Sequence, residues 1–375
     1  MKIAMSLLSG ISYGGVTYFN NLIPSLAKVD NFNEYHIFDS RDGMLSKRIR
    51  QKNFIFHICP PYVGSTLMRF LWEQLILPYE LKKRKIDIMF TAKNGNIFFA
   101  PCKTVIAIRN MEPFCYKNYE NEWALNVFSW LRRKFTLVSI KKADLIIAVS
   151  KSVKQYLKDH FSSIGEKIHV IYNGNPLKGN SNINIRNDQK ETFFLSASKF
   201  VAYANQLNLV EGYAILYEKK KDLPPLWFAG GAHDESYFKK IERRVIEKKL
   251  TDKIRFLGLL PHEKLIEMYT QAYAFIFPSL LEACPQTLIE AMACGTPIIA
   301  SNVPPMPEIC GSAAIYFDPY DREDISCSLE RFLGDQNLRE SLKRESLERC
   351  KFFDWKKTAE KVIEAFEKVH RNNPK

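Results

Sequence analysis

The stretch LLEACPQTLIEAMACGTPIIAS, residues 280–301, places two carboxylates, Glu282 and Glu290, on either side of Pro285. Proline at a first helical position and Gly295 just past an alanine-rich run predict a helix that begins near Pro285 and stops before Gly295. Its opening amides, on Gln286, Thr287 and Leu288, have no partner within the helix and carry the positive end of its dipole. Such an end binds anions, phosphate among them. Glu282 stays in the loop ahead of it, near whatever a phosphate is attached to. Glu290, one to two turns in, can reach inward to a hydroxyl-rich group such as ribose. The spacing alone fits equally well a structural helix whose two glutamates face water.

Elements that could position these groups recur along the chain. In the first half, apolar β-type runs stand at 2–8, 34–38, 86–92, 104–110, 144–150 and 168–174. The second half repeats the style at 192–198, 225–231, 254–259, 272–279, 296–301 and 313–319. Uniformly apolar strands suit a parallel sheet covered on both faces, and the helical segments between them favour doubly wound βαβ units. The fold class is therefore α/β. Residues 176–191 are polar, turn-rich and without periodicity, as expected of an inter-domain linker. Residues 354–370 have helical apolar spacing. Open α/β sheets bind ligands beyond the C-terminal ends of their strands.

The 375 residues are too many for one ordinary core and predict two domains. Composition is that of a globular protein, 46% hydrophobic and 25% charged. The eight cysteines form no CxxC pair and no metal-ligand spacing, and read as reduced thiols in a cytosolic protein. The N-terminal run MKIAMSLLSG reads as a first strand rather than a signal peptide, and no apolar run is long enough to span a membrane. Residues 1–180 carry 26 Lys/Arg against 13 Asp/Glu, and residues 181–375 carry 28 against 28, so the net charge of +13 sits wholly in the first half. A positive face attracts anionic lipid, phosphate-rich substrates or nucleic acid; dispersed solvated lysines account for the runs equally well.

Residues 272–318 resemble the retaining nucleotide-sugar glycosyltransferases of family 4. The shared features are two glutamates with seven residues between them, EAMACGTPII (290–299) and the turn Pro307–Gly311. The rest of the chain matches in order: a glycine-bearing segment after the first strand, ADLIIAVSKSVKQYL (143–157), VIYNGNP (170–176), FAGG (228–231) and IRFLGLLPHEKL (254–265). The resemblance implies a GT-B fold, two Rossmann-like doubly wound domains facing a central cleft. Residues 1–178 would bind the acceptor, 179–350 the nucleotide sugar, and 351–375 would return to the first domain. Glu282 would then bond hydroxyls of the transferred sugar and Glu290 the ribose. Pro285, Gln286, Thr287 and Leu288 would form the diphosphate cradle. Gly14 and Gly15 would let the backbone approach the phosphate or sugar, although a plain turn uses such a pair as readily. Retention of anomeric configuration follows from the resemblance too, with Glu282 not assigned as a nucleophile. Amides and basic side chains at the departing diphosphate would leave no requirement for a metal or other cofactor.

The chain departs from the family pattern at two places. A basic pair is usual after the first strand of the second domain; Lys199 supplies the first member, but Ala204 stands at the second. Many members place His-Asp after the strand at 104–110, where this chain has Asn110 in RNMEPF. Asn110 can donate a hydrogen bond to the sugar or leaving oxygen but cannot act as a base. Glu112 is a nearby acid or base candidate, or simply a loop carboxylate. His233 and His262 lack a partner at metal spacing and read as loop residues.

The expected acceptor is a saccharide or lipid-linked saccharide of surface polysaccharide, lipopolysaccharide or other glycan assembly. Segment 64–85 joins apolar residues to a basic end. It is read either as a helix on its own sheet or as one lying on an anionic membrane surface. The expected location is accordingly the cytoplasm, with peripheral contact on the cytoplasmic face of the membrane. A catalytically silent nucleotide-sugar-binding assembly partner is the alternative, raised by Ala204 and Asn110. A nicotinamide enzyme is disfavoured because no GxGxxG follows the first strand. A nucleic-acid partner is disfavoured because no reading module is present.

Overall fold

Short runs of Ile, Val, Phe and Ala, buried on both faces, form two parallel sheets in the computed structural model, which describes residues 1–8, 13–39, 45–114, 127–178 and 193–371. The chain divides into two compact units, Met1–Pro176 with Asp354–Lys375, and Leu177–Phe353. In the first unit β1 (Lys2–Ser6), α1 (Tyr13–Val29), β2 (Glu34–Asp39) and β3 (Phe54–Ile58) come first. Then follow α2 (Thr66–Leu71), a π-helical turn at Trp72–Ile76, α3 (Leu77–Lys83), β4 (Ile88–Thr91) and β5 (Lys103–Ile108). The run ends with α4 (Val127–Lys142), β6 (Leu145–Ala148), α5 (Lys151–His160) and β7 (Ile168–Val170). The sheet order is β3-β2-β1-β4-β5-β6-β7.

The second unit opens with β8 (Phe194–Ala197), α6 (Gln206–Lys219), β9 (Leu226–Ala229), α7 (Glu235–Glu247) and β10 (Ile254–Phe256). It continues through α8 (His262–Gln271), β11 (Ala274–Phe277), α9 (Gln286–Ala293), β12 (Ile298–Ser301) and α10 (Met306–Cys310). β13 (Ala314–Phe317), α11 (Arg322–Gly334) and α12 (Gln336–Cys350) complete it, with sheet order β10-β9-β8-β11-β12-β13. In each sheet the strand order runs outward in both directions from its first strand. That is the doubly wound α/β arrangement, and it opens a crevice where the order reverses, beside β1 and β4 in one unit and beside β8 and β11 in the other.

A last helix, α13 (Trp355–Arg371), belongs to the first unit and fills its core. Trp355, Val362 and Phe366 pack with Tyr18, Phe19 and Phe90. Rings meet edge to face at 5.5 Å for both Tyr18–Trp355 and Phe90–Phe366. Each such fully buried side chain contributes about 1.5–3 kcal/mol.

Several sequence-based expectations need correction. The strand β3 was not expected; its five residues FIFHI form an edge strand beside β2. The strands expected at 104–110 and 168–174 stop at Ile108 and Val170. Gly14 and Gly15 fall inside the first turn of α1 rather than in a loop. Most of the expected linker, residues 179–191, lies outside the described residues. Segment 64–85 does pack on its own sheet, through Trp72, Leu77 and Leu81.

Candidate functional site

The crevice of the second unit collects the chemistry-bearing residues read from the sequence. β8 delivers Ser198 and Lys199 from its C-terminal end, and β11 delivers Ser279 and Glu282 from its own. Two loops are stitched together there. Leu280 N donates to Tyr203 O at 2.8 Å. Asn205 Nδ2 reaches Pro278 O at 3.2 Å and Pro319 O at 2.9 Å. Asn205 adopts the left-handed conformation at φ 61°, which asparagine tolerates better than most residues. The Ser279 hydroxyl lies 3.1 Å from Glu282 Oε1, which fixes that half-buried carboxylate above the strand ends. Lys199 Nζ sits 5.1 Å from the centre of the Tyr203 ring. Ala204, buried beside it, offers no charge.

The helix α9 begins at Gln286, with Pro285 as its N-cap at φ −68°, ψ 107°. The proline thus stands one position ahead of the first helical residue, a correction to the sequence reading: its ψ is extended rather than helical. Proline carries no side-chain acceptor, so the cap residue does not satisfy the opening amides of Gln286, Thr287 and Leu288. Gly295 closes the helix at φ 69°.

Glu290 is buried, and its Oε1 lies 3.2 Å from His262 Nε2. His262 is the first residue of α8, not a loop residue as the sequence reading held; its side chain keeps 55% of its surface exposed. The hydrogen bond that the imidazole donates to Glu290 raises its pKa above the ordinary value, against a smaller opposing effect of burial. The partners are 28 residues apart in the chain and meet where α8 lies against α9. His233 is an exposed loop residue, in agreement with its reading.

A raised folded-state pKa stabilises at acid pH: the contribution is complete below the unfolded value and is lost as pH rises through the folded one. Stability should therefore fall as pH rises above the ordinary imidazole value of about 6.5, by an increment that His262→Gln removes. Thermal melts of both proteins across that range measure it. Parallel curves would show that the pair carries no linkage.

In the first unit, Asn94 clamps the end of β5. Its Oδ1 accepts from Arg109 N at 2.8 Å and Asn110 N at 3.2 Å. Asn110 is exposed, and its side chain turns on Glu112: Asn110 Oδ1 accepts from Glu112 N and Asn110 Nδ2 donates to Glu112 Oε2, both at 2.9 Å. Arg132 completes the set, 2.6 Å from the same carboxylate oxygen. At the crevice beside β1 and β4, Ser6 Oγ donates to the buried Glu73 Oε1 at 2.9 Å, and Lys93 pairs with Oε2. Sequence reasoning missed Asn205, Glu73 and the pairing of His262 with Glu290, because each depends on a partner distant in the chain, and it missed Ser279 although its partner Glu282 is only three residues on.

Among solved structures, sucrose-phosphate synthase from Thermosynechococcus elongatus matches with a TM-score of 0.75 at 17% identity, over 100% of both chains. The fold is thus that of the GT-B class. Residues 13–177 match the family model described as Glycosyltransferase Family 4, and residues 180–349 match the one described as Glycosyl transferases group 1. Between them the two models take in most of the chain, which belongs to this family of glycosyltransferases. O-antigen chain mannosyltransferase B of Escherichia coli is 32% identical over 164 residues, 43% of this chain and 42% of that protein. O-antigen chain mannosyltransferase RfbU of Salmonella typhimurium is 28% identical over 229 residues, 60% of this chain and 59% of that protein. The chain therefore spans about four- to six-tenths of the length of these curated relatives.

Proposed function

We propose that this protein transfers a sugar, with retention of configuration, from a nucleoside-diphosphate donor to a saccharide or lipid-linked saccharide in surface-polysaccharide assembly. The observation that carries the reading is the convergence of Glu282, Lys199 and the start of α9 at the β8–β11 crevice. The names of the two O-antigen relatives make a mannosyl group the first donor sugar to test.

In this reading the second unit holds the donor. Negative charge builds on the departing diphosphate as the glycosidic bond breaks. The amides of Thr287 and Leu288 and the Lys199 ammonium meet that charge without reorganising, and no metal is needed for this task. Glu282 accepts hydrogen bonds from hydroxyls of the transferred sugar. Glu290, steadied by His262, accepts from the ribose. Gly14 and Gly15, at the start of α1, bring backbone close to the sugar phosphate. Asn110, with Glu112 and Arg132, faces the acceptor as a hydrogen-bonding group rather than a base. The site of action is the cytoplasm. Among the described residues no helix is long and apolar enough to cross a membrane.

With Ala204 uncharged, Lys199 carries a larger share of diphosphate binding than one member of a basic pair would. Lys199→Ala should weaken nucleoside-diphosphate binding by about 10- to 150-fold, a loss of about 1.5–3 kcal/mol. Titration calorimetry with UDP, GDP and ADP measures it, and unchanged affinity for each would remove Lys199 from the cradle. The reading as a whole is tested by release of nucleoside diphosphate from a panel of sugar nucleotides with a glycan extract. Ala204 motivates a second reading, a silent nucleotide-sugar-binding assembly partner. Thermal stabilisation by donor without any turnover would favour that reading over the first.

A further inference from the structure

The helix running from α2 through the π turn to α3 has two faces of opposite character. Its inner face buries Trp72, Glu73, Gln74, Leu77 and Leu81 against the first sheet. Its outer face exposes Leu67, Phe70, Leu71, Leu75, Ile76 and Tyr79, with Leu67 at 66%, Leu75 at 65% and Tyr79 at 64% of their surface. The spacing 67-71-75-79 would not hold one side of an ordinary helix. Three steps of four residues overrun a 3.6-residue turn by about 1.2 residues. The π turn absorbs one extra residue and brings the stripe back into line. Pro78, which cannot donate to Gln74 O, supplies a local cause for the irregularity.

The exposed surface continues onto α4. Phe135 meets Phe70 at 5.4 Å and Phe98 at 5.0 Å, which joins the two helices. Beyond that contact Phe99, Trp130 and Leu131 are also exposed. Cations edge the apolar area. Segments 64–85 and 127–142 together carry ten Lys/Arg and two Asp/Glu. Both acids are engaged at home, Glu73 with Lys93 and Glu80 with Arg84. Lys134 lies over the Trp130 ring and Lys142 over Phe98, ammonium groups on aromatic bodies as at a membrane interface. An exposed apolar face of this extent calls for a partner.

We infer that this face of the first unit docks on an anionic lipid bilayer, apolar side chains entering the headgroup boundary and the basic edge binding acidic headgroups. Charge chooses this occupant over a second copy of the chain. A symmetric dimer through the same patch would set one basic edge against another, whereas an acidic leaflet attracts each nearby Lys or Arg. The inference does not depend on the transferase reading. If both hold, they connect: Glu73 on the inner face reaches the β1–β4 crevice, so that crevice lies about one helix diameter, ~10 Å, from the bilayer. A lipid-borne acceptor would meet it there.

Flotation of the full chain tests this with vesicles of phosphatidylcholine alone or mixed with phosphatidylglycerol, at low and high salt. The chain should float with the mixed vesicles at low salt and be largely released at high salt. The triple variant Leu67→Ser, Leu71→Ser, Leu75→Ser should bind on the order of 100-fold more weakly. Lys82→Gln, Lys83→Gln, Lys85→Gln should lose a similar factor while keeping the melting temperature of the parent, since all three lysines are exposed. Equal flotation with neutral vesicles, or undiminished flotation of both variants, overturns the inference. So does a concentration-dependent dimer that the leucine variant dissolves, in a chain that ignores vesicles.

Discussion

Replacing Glu282 with alanine is expected to lower turnover of the sugar nucleotide by about 10²–10³-fold and to leave the fold intact. The two halves of that expectation have separate causes. The carboxylate sits above the ends of β8 and β11, where the transferred sugar lies in the proposed reading, and alanine leaves the sugar hydroxyls without an acceptor. Stability is spared because the Ser279 hydroxyl has other acceptors within reach, Tyr203 O at 3.3 Å and Leu281 O at 3.4 Å. The Ser279 hydroxyl is therefore not stranded. Nucleoside diphosphate alone should bind almost as before, since Glu282 addresses the sugar. Turnover within about three-fold of the parent protein would remove Glu282 from the chemistry.

Gly230→Ala is expected to destabilise the second unit by about 2–5 kcal/mol and to disturb donor binding with it. Gly230 has φ +150°, and a Cβ there would stand 1.9 Å from Ser198 O. Neither atom can yield cheaply. Ser198 N is bonded to Ala229 O at 3.0 Å, and Gly230 N to Gly258 O at 2.8 Å. Forcing the strand ends apart moves Lys199, the next residue along. Gly231→Ala is the control, because its Cβ would meet only the His233 ring at 3.8 Å, an ordinary contact. Denaturant unfolding of both variants, with nucleotide titrations, gives the comparison. Equal stability of the two would refute the steric argument.

The crevice of the second unit was legible because its parts are consecutive. A strand, a loop carboxylate, a proline, an amphipathic helix and a glycine follow one another within residues 274–295, and local rules suffice for each. Pro285 was misplaced by one residue because proline suits both the N-cap and the first helical position, and only its ψ separates them. His262 was read as a loop residue since nothing near it in sequence points to Glu290. The edge strand β3 follows the basic cluster at 47–52 and alternates irregularly between buried and exposed positions, so its apolar pattern is weak. Segment 64–85 posed a choice between core and surface that had no single answer: the helix uses one face for each. Periodicity calculated at 3.6 residues per turn blurs such a segment, because the π turn shifts its phase midway.

The discontinuity of the first unit bears on how the chain is made. Its sheet is complete in sequence at Val170, yet α13, whose Trp355 and Phe366 belong in the middle of its core, follows only after the 177 residues of Leu177–Phe353. At about 5–20 residues per second a ribosome needs roughly nine to thirty-five seconds to bridge that gap. During this interval α1 and the sheet present an open apolar trough to the surrounding solvent. The inserted unit has every strand it needs and can mature meanwhile. The nascent first unit is therefore the species that a chaperone has reason to shelter.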